Sequence, residues 1–334
     1  MTGSVALVVV GVGGAGVNAV NHLAEFPVPG ARYVAVDTSA QSLAATAHHG
    51  DGVARLLLRA GTRGLGTGGN AQLGAHAAAA ASEAIGRALS GAPIVAVVAG
   101  LAGGTGAGGG PVVAAAARER GALTLGFGVT PFPFEAPPAL ACARRARGDL
   151  AAICHAMVAL DNARALSALG RAAAIDVALR AADETVRQAI EALVALAGTA
   201  WRPGAGRRWL DCDLARIRSL LEGGEARLGV GYAVGGEAPV QRALHQAVAA
   251  SDGPCAAGVL VHVTGGEDLA IADVAQAAEA AERAWAPGGA VDVGVTALAG
   301  WRGVARVLVL GTRLRQAIPV ALPAGPAATL QWAV

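Results

Sequence analysis

Apolar residues follow two rhythms along the chain. Val5–Val10, Ile94–Val98 and Leu123–Val129 are short unbroken runs rich in β-branched residues, the pattern of strands buried on both faces. Between them, Ala15–Glu25, Ala71–Leu89 and Pro111–Arg120 space their apolar positions as helices do, the last with proline in a permitted first turn. Tyr33–Val36, ended by Asp37-Thr38-Ser39, adds a short strand, and Met157–Leu160 another. This alternation predicts a parallel sheet with helices on both faces. Ile175–Ala197 predicts one long helix, apolar at Ile175, Leu179, Ala182, Val186, Ile190 and Leu193. Gly198–Arg208 breaks that pattern and marks the best domain boundary. Beyond it the predicted elements are helix Leu214–Leu221, strand Ala226–Tyr232, helix Ala238–Ala250, strand Ala257–Val263, helix Ile271–Trp285, and strands Val291–Ala297 and Ala305–Leu310. They make a smaller α+β unit.

Composition narrows the chemistry. Of the 334 residues, 54% are hydrophobic and only 3% aromatic, so the cores must be built from Ala, Val, Leu and Ile. All 26 basic residues are arginine. Without lysine, a Walker A lysine, a pyridoxal Schiff base and a kinase-type lysine are excluded. Net charge is +2, and arginine is dense only at Arg144, Arg145 and Arg147 and at Arg207–Arg208, so nothing suggests nucleic-acid binding. Cys142, Cys154, Cys212 and Cys255 stand far apart and read as reduced thiols of a cytoplasmic protein. No basic leader precedes the first strand, and no apolar run approaches the ~18 residues of a membrane span. His48-His49 read as surface residues, not metal ligands.

Glycine-rich segments carry the chemical signal. Gly11-Val12-Gly13-Gly14-Ala15-Gly16 follows the first strand and opens a helix, and Asp37 closes the second strand. Alone this is the dinucleotide-binding fingerprint, in which glycines admit a phosphate to the backbone and a helix N-terminus supplies N–H donors. The plainer alternative is a tight βα turn. A second segment, Ala99–Gly110, also lies between a buried strand and a helix, and a third, Gly64–Asn70, is predicted on the same edge. Three such loops suit a nucleoside triphosphate, with backbone N–H groups and Thr105 doing what lysine does elsewhere.

At these residues the chain resembles the tubulin/FtsZ family, bacterial FtsZ more than tubulin. The resemblance runs from about Val5 to about Thr312. It includes Gly13-Gly14-Ala15-Gly16-Val17-Asn18-Ala19-Val20, Ala35-Val36-Asp37-Thr38-Ser39-Ala40-Gln41 and Gly64-Leu65-Gly66-Thr67-Gly68-Gly69-Asn70. Gly103-Gly104-Thr105-Gly106-Ala107-Gly108 is similar to the family's GGGTGTG signature. Val129-Thr130-Pro131-Phe132-Pro133-Phe134-Glu135, Ala182-Asp183-Glu184 and Val263-Thr264-Gly265-Gly266-Glu267-Asp268-Leu269 complete it.

The resemblance implies a Rossmann-like GTP-binding domain (1–174), a long central helix (175–200), a smaller α+β domain (201–318) and a short tail (319–334). It implies GTP or GDP as ligand. Gly13, Gly14, Ala15, Gly16 and Val17, Gly69 and Asn70, and Gly103, Gly104, Thr105, Gly106 and Ala107 would surround the phosphates. Asn18 and Asp183 would read guanine, Glu135 would hold ribose, and Asn162 and Leu179 would line the same pocket. Read as residues alone, Asn18 is a polar first-turn residue and Asp183 an exposed helix residue. Mg²⁺ is admitted as a companion cation, with no metal ligands assigned.

Departures from the family pattern shape the expected activity. Ala139 stands where the family has an arginine, Ala107 at a threonine and Leu179 at a stacking aromatic. In the family, a loop patterned N-x-D-x-x-D enters the neighbouring subunit's site and positions the attacking water. Here Asp211 falls at the Asn, Asp213 at the first Asp and Arg216 at the second. Arginine is neither a general base nor a cation ligand, so hydrolysis is expected to be weak or assembly-dependent, with Asp213 and Asp211 as the candidate acids. The Asp213 alternative is a helix N-cap. The expected function is a filament-forming protein of cell division or the cytoskeleton, associating head-to-tail with itself or with another FtsZ. A non-hydrolysing paralogue that regulates another filament is the first alternative, and an NAD-dependent oxidoreductase the second. The residues after Pro319 show no linker toward the family's usual division anchors.

Overall fold

A computed structural model describes residues 7–59, 61–163, 174–197, 207–210, 213–251 and 258–312. Its described strands are β1 (Leu7–Val12), β2 (Ala31–Asp37), β3 (Val53–Leu57), β4 (Ile94–Gly100), β5 (Leu123–Val129), β6 (Ala156–Leu160), β7 (Arg207–Leu210), β8 (Gly224–Val234), β9 (Gly258–Gly265), β10 (Ala290–Ala297) and β11 (Val304–Thr312). They form one sheet in the order β3-β2-β1-β4-β5-β6-β8-β11-β9-β10-β7. Strands β1 to β6 are all parallel, with Val9 opposite Tyr33 on one side and Ala96 on the other. The β11 strand pairs antiparallel with β8 and β9, and β7 closes the far edge antiparallel to β10.

The unbroken apolar runs sit where their composition requires. Every residue of β1 and β5 is buried, because helices cover both faces of the parallel half. On one face, Val17, Val20 and Leu23 of helix Gly13–Glu25 pack with Val186, Ile190 and Leu193 of the central helix, Ile175–Ala197. That core also takes in Leu260, Leu308 and Leu310, so the central helix buries itself against both halves of the sheet. On the other face Ile85, Val113, Ala117 and Leu150 cover the parallel strands, and a third core gathers Val240, Leu244 and Trp285 around β9 and β11.

Four features depart from the sequence reading. The predicted helix Ala71–Leu89 breaks at Ala81 (φ −101°, ψ 12°) into Ala71–Ala80 and Ser82–Ala88. Helix Pro137–Ile153 and strand β3 were not foreseen. The edge strand β3 exposes Ala54 and Arg55, so it lacks the signature of burial. Strand β7 begins at Arg207, inside the stretch read as a break, while residues 198–206 lie outside the described residues. The two halves meet through β6 and β8, where Ala156, Met157 and Val158 face Gly224, Glu225 and Ala226 in parallel register.

Close backbone approach is what the glycine-rich stretch supplies. Residues Thr105–Gly109 form a single π-helical turn leading into helix Gly110–Glu119. Helix Ala71–Ala80 lies so close to that turn that a Cβ on Gly74 would collide with the Gly104 carbonyl, and one on Gly108 with the Ala71 carbonyl. Gly74→Ala is therefore expected to lower stability by about 1–3 kcal/mol. By contrast Gly148, mid-helix with open space around its Cα, should gain about 0.5–1 kcal/mol as alanine. Urea unfolding midpoints of the two variants check both signs.

Candidate functional site

Parallel strands end together, and the loops that leave them share one edge. The chain runs from β1 outward to β2 and β3, then returns to β4, β5 and β6 on the opposite side. The crevice between the C-terminal ends of β1 and β4 is thus a topological switch point, where parallel α/β sheets bind ligands. A cleft of about 380 Å³ occupies it. Gly13, Gly14 and Ala15 enter it from β1, Gly69 from the loop beyond β3, and Gly103, Gly104, Thr105 and Gly106 from β4. Glu135 follows β5, Asn162 follows β6, and Leu179 reaches in from the central helix. Eleven residues named from sequence therefore come together. Thr67 and Phe132, also lining it, were missed as site residues although both sit inside matched segments.

The floor of the cleft is backbone. Gly13 has φ +73°, and a Cβ there would stand 2.8 Å from the Gly106 nitrogen, so the first loop reaches the second only because position 13 is glycine. Neither helix Gly13–Glu25 nor the turn Thr105–Gly109 has a side-chain cap or an acidic first turn. Helices Ala71–Ala80 and Leu214–Leu221, in contrast, are capped by Asn70 and Asp213. The bare ends leave N–H donors and the positive pole of the helix dipole directed at the cleft. Thr105 is held by a 2.6 Å contact between its hydroxyl and that of Thr38. Among the described residues no arginine or histidine lines the cleft.

The walls supply polar groups of unequal freedom. Glu135 Oε1 accepts the Phe132 N–H at 2.9 Å, which fixes the carboxylate and leaves its second oxygen available. Asn162 is buried, and its Oδ1 has no hydrogen-bond partner. An orphaned buried acceptor costs about 1–3 kcal/mol, so it marks a place where a ligand donor belongs. Phe132 stacks on exposed Phe134 at 5.1 Å, nearly parallel, which sets an aromatic surface beside Leu179. Asp37 does not line the cleft. It is buried, and its Oδ1 accepts the N–H groups of Thr38 and Ser39 at 2.7 and 3.2 Å, closing its own turn.

Other expected residues stand near the cleft without lining it. Gly16 packs against the Val98 carbonyl, where a Cβ would not fit, and Val17 is a core residue. Ala107 is buried within the π-turn itself, Asn70 caps the next helix through a 3.1 Å bond from Leu73 N–H, and Asn18 is exposed. Asp183 is half-buried on the central helix one turn beyond Leu179. Burial pushes its carboxyl up to about 6, and the nearby His22 opposes that rise. No described residue donates a hydrogen bond to it.

The second group of candidates is distant from these loops in the fold. Asp213 caps helix Leu214–Leu221, accepting the Ala215 N–H at 3.1 Å. Asp211 lies outside the described residues. Arg216 is 61% exposed and its Nε pairs with Asp292 Oδ2 on β10 at 2.6 Å. Among the described residues no group of three or more His, Cys, Asp or Glu is placed to hold a metal ion, and no helix is long and apolar enough to cross a membrane.

Comparison with known proteins agrees with this geometry. Residues 6–170 match the model of the Tubulin/FtsZ family, GTPase domain. The cell division protein FtsZ of Pseudomonas aeruginosa is 32% identical over 328 residues, spanning 93% of this chain and 79% of the relative. An FtsZ dimer structure from M. jannaschii superposes with a TM-score of 0.80 at 30% identity, covering 92% of this chain and 88% of that one. The CetZ2 protofilament from Haloferax volcanii shares the fold, with a TM-score of 0.76 at 24% identity over 93% and 94% of the two chains. A parallel half-sheet with a glycine-built crevice, a central helix shared with a mixed half-sheet, and this similarity over nearly the whole length lead to one conclusion: the chain belongs to the tubulin/FtsZ family.

Proposed function

We propose that the protein binds GTP and GDP in the crevice between β1 and β4 and assembles head-to-tail into filaments, with weak hydrolysis. The observation that carries the binding reading is the pair of uncapped helical starts, Gly13–Glu25 and Thr105–Gly109, converging on one cleft. Backbone N–H groups there suit a polyphosphate. Asn162 Oδ1 would accept from the nucleotide, Glu135 from the ribose hydroxyls, and Asn18 and Asp183 would read the guanine edge. An ionised Asp183 accepts from two adjacent N–H donors, a pattern guanine presents and adenine lacks. Phe132 and Leu179 supply apolar contact. Among the described residues the lining has one carboxylate and no cation, and Mg²⁺ is proposed as a companion to the phosphate charge. The oxidoreductase alternative loses support, because the carboxylate it requires, Asp37, is buried outside the cleft with Oδ1 closing its own turn.

Filament formation rests on likeness to FtsZ, of which one related structure is a dimer, and on a simple geometric rule. A heterologous contact whose rotation does not close propagates as a filament. In this reading residues 1–174, the helix 175–200 and residues 201–318 act as the nucleotide part, the connector and the completing part. Arg216 supports weak turnover, since at the position of an expected acid it carries a guanidinium already paired with Asp292. Asp213 remains the acid closest to the required role, although its carboxylate is also the cap of helix Leu214–Leu221.

Asp183→Asn is expected to weaken GDP binding by about tenfold or more, measured by calorimetry. The pH dependence has a definite sign. Asp183 is held near 6 in the nucleotide-free chain, and base donors favour its ionised form. Affinity of the wild-type chain should therefore rise from about pH 5 to about pH 7, and the Asn variant should lose that rise. Without nucleotide the raised carboxyl contributes stability below its unfolded value, and this is lost as pH rises through about 6. Asp183→Asn should thus be more stable than wild type at pH 7 by roughly 1–3 kcal/mol in urea unfolding.

Turnover is tested by phosphate release with GTP and Mg²⁺ across protein concentrations, alongside light scattering. Low release that climbs steeply on Arg216→Asp, by about tenfold or more, is the expected result. Tight nucleotide binding with no release from either protein would instead mark a regulator of another filament.

A further inference from the structure

Thr38 does not line the cleft, yet it ties together two of the loops that do. It directly follows β2, is fully buried, and sets its hydroxyl 2.6 Å from that of Thr105, on the turn after β4. Its backbone is fixed on both sides. The Thr38 N–H donates to Asp37 Oδ1 at 2.7 Å, and its carbonyl accepts the Gly66 N–H at 3.1 Å. A bridge between Ser39 and Leu65 and a 2.9 Å bond from the Ala40 N–H to the Gly64 carbonyl continue that seam. The same loop then brings Thr67 and Gly69 into the cleft. Thr38 therefore has a fixed place, and among the described residues its hydroxyl bonds to Thr105 alone.

The hydrogens of this pair are assigned from what each oxygen can reach. A threonine hydroxyl has one hydrogen and two lone pairs, so two of them share one hydrogen and leave the other over. Were Thr105 the donor, the hydrogen left over would be that of Thr38, enclosed at 0% exposure with no second acceptor among the described residues. A buried donor without an acceptor is costly, and the opposite arrangement avoids it. With Thr38 donating, the hydrogen left over belongs to Thr105, which lines the cleft. Thr130, in the same lining, gives its own hydrogen to the Leu160 carbonyl at 3.2 Å and has none for a ligand. An acceptor-only group such as a phosphate oxygen is the matching partner for the Thr105 hydrogen.

We propose that Thr38 is a positioning residue for phosphate binding: its hydroxyl donates to Thr105 Oγ1 and so aims the Thr105 hydrogen into the cleft, at a phosphate oxygen of the bound nucleotide. This rests on the reading of the cleft as a polyphosphate site. Thr38 does not touch the ligand and acts through one hydroxyl. The role differs from plain packing in two ways. Serine at position 38 preserves it while alanine abolishes it, and it vanishes once Thr105 has no hydroxyl to aim.

The test is a titration of the full chain with a fluorescent methylanthraniloyl-GDP, using wild type, Thr38→Ala, Thr38→Ser, Thr105→Val and the double variant of Thr38→Ala with Thr105→Val. Thr38→Ala should bind about 3- to 10-fold more weakly, and Thr38→Ser should stay within about twofold of wild type. Thr105→Val should lose at least as much as Thr38→Ala, and the double variant should bind no more weakly than Thr105→Val alone. Wild-type affinity in Thr38→Ala, the same loss in Thr38→Ser, or losses that multiply in the double variant would overturn the proposal. If Thr38→Ala does not fold, Thr38→Val, which keeps the volume without the hydroxyl, replaces it in the same cycle. Loss in Thr105→Val with unmoved binding by Thr38→Ala sinks this proposal only. Wild-type binding by Thr105→Val removes Thr105 from the phosphate site and the proposal with it, and no binding by the wild-type chain sinks the nucleotide reading itself.

Discussion

Backbone meets backbone at the edge of the parallel half-sheet, and the site exists because nothing larger than hydrogen stands between. The loop after β1 touches the loop after β4 at Gly13 and Gly106, and helix Ala71–Ala80 presses on the same turn through Gly74 and Gly108. A methyl group on Gly13, Gly74 or Gly108 would push the elements apart. Close approach also turns N–H groups toward the cleft, where two helical starts lack side-chain caps. One constraint thus fixes both packing and chemistry. With no lysine in the chain and no arginine lining the cleft among the described residues, anion binding there falls to backbone N–H groups.

The central helix extends that logic across the molecule. Val186, Ile190 and Leu193 bury against helix Gly13–Glu25 and the parallel strands, and the same core includes Leu260, Leu308 and Leu310 of the mixed half. Its polar side carries a chain of partners from His22 through Glu184, Arg187 and Glu191 to Arg306. The ion pairs that are partly shielded here weigh more than exposed ones such as Arg216–Asp292, which water screens. Leu179 and Asp183 project from the first turns of the same helix, so the proposed base site and the junction between the half-sheets share one rigid element.

In the proposed reading, binding and turnover draw on different parts of this chain. The crevice is built of glycine backbone, whereas position 216, where an acid is expected, holds arginine, and Asp213 is the cap of a helix. Binding depends on backbone shape, which tolerates substitution of exposed side chains. Hydrolysis depends on the placement of single carboxylates, which does not.

The linear chain settled a good deal. Unbroken β-branched runs gave the parallel strands, since such runs are soluble only when both faces are covered, and the glycine clusters after them located the phosphate-type loops. Periodicity also marked the central helix. What it left undetermined had physical causes. The edge strand β3 is half-exposed and so lacks an apolar signature, and the break at Ala81 falls in an alanine run that carries no local stop signal. Asp37 completed a sequence fingerprint, yet folding turned it to its own turn. The orphaned Asn162 oxygen, the Phe132–Phe134 stack and the His22–Glu184 pair join residues far apart in the chain. Local sequence fixes which conformations a segment favours, but only the assembled sheet brings distant polar groups within bonding range, and there burial decides their charge.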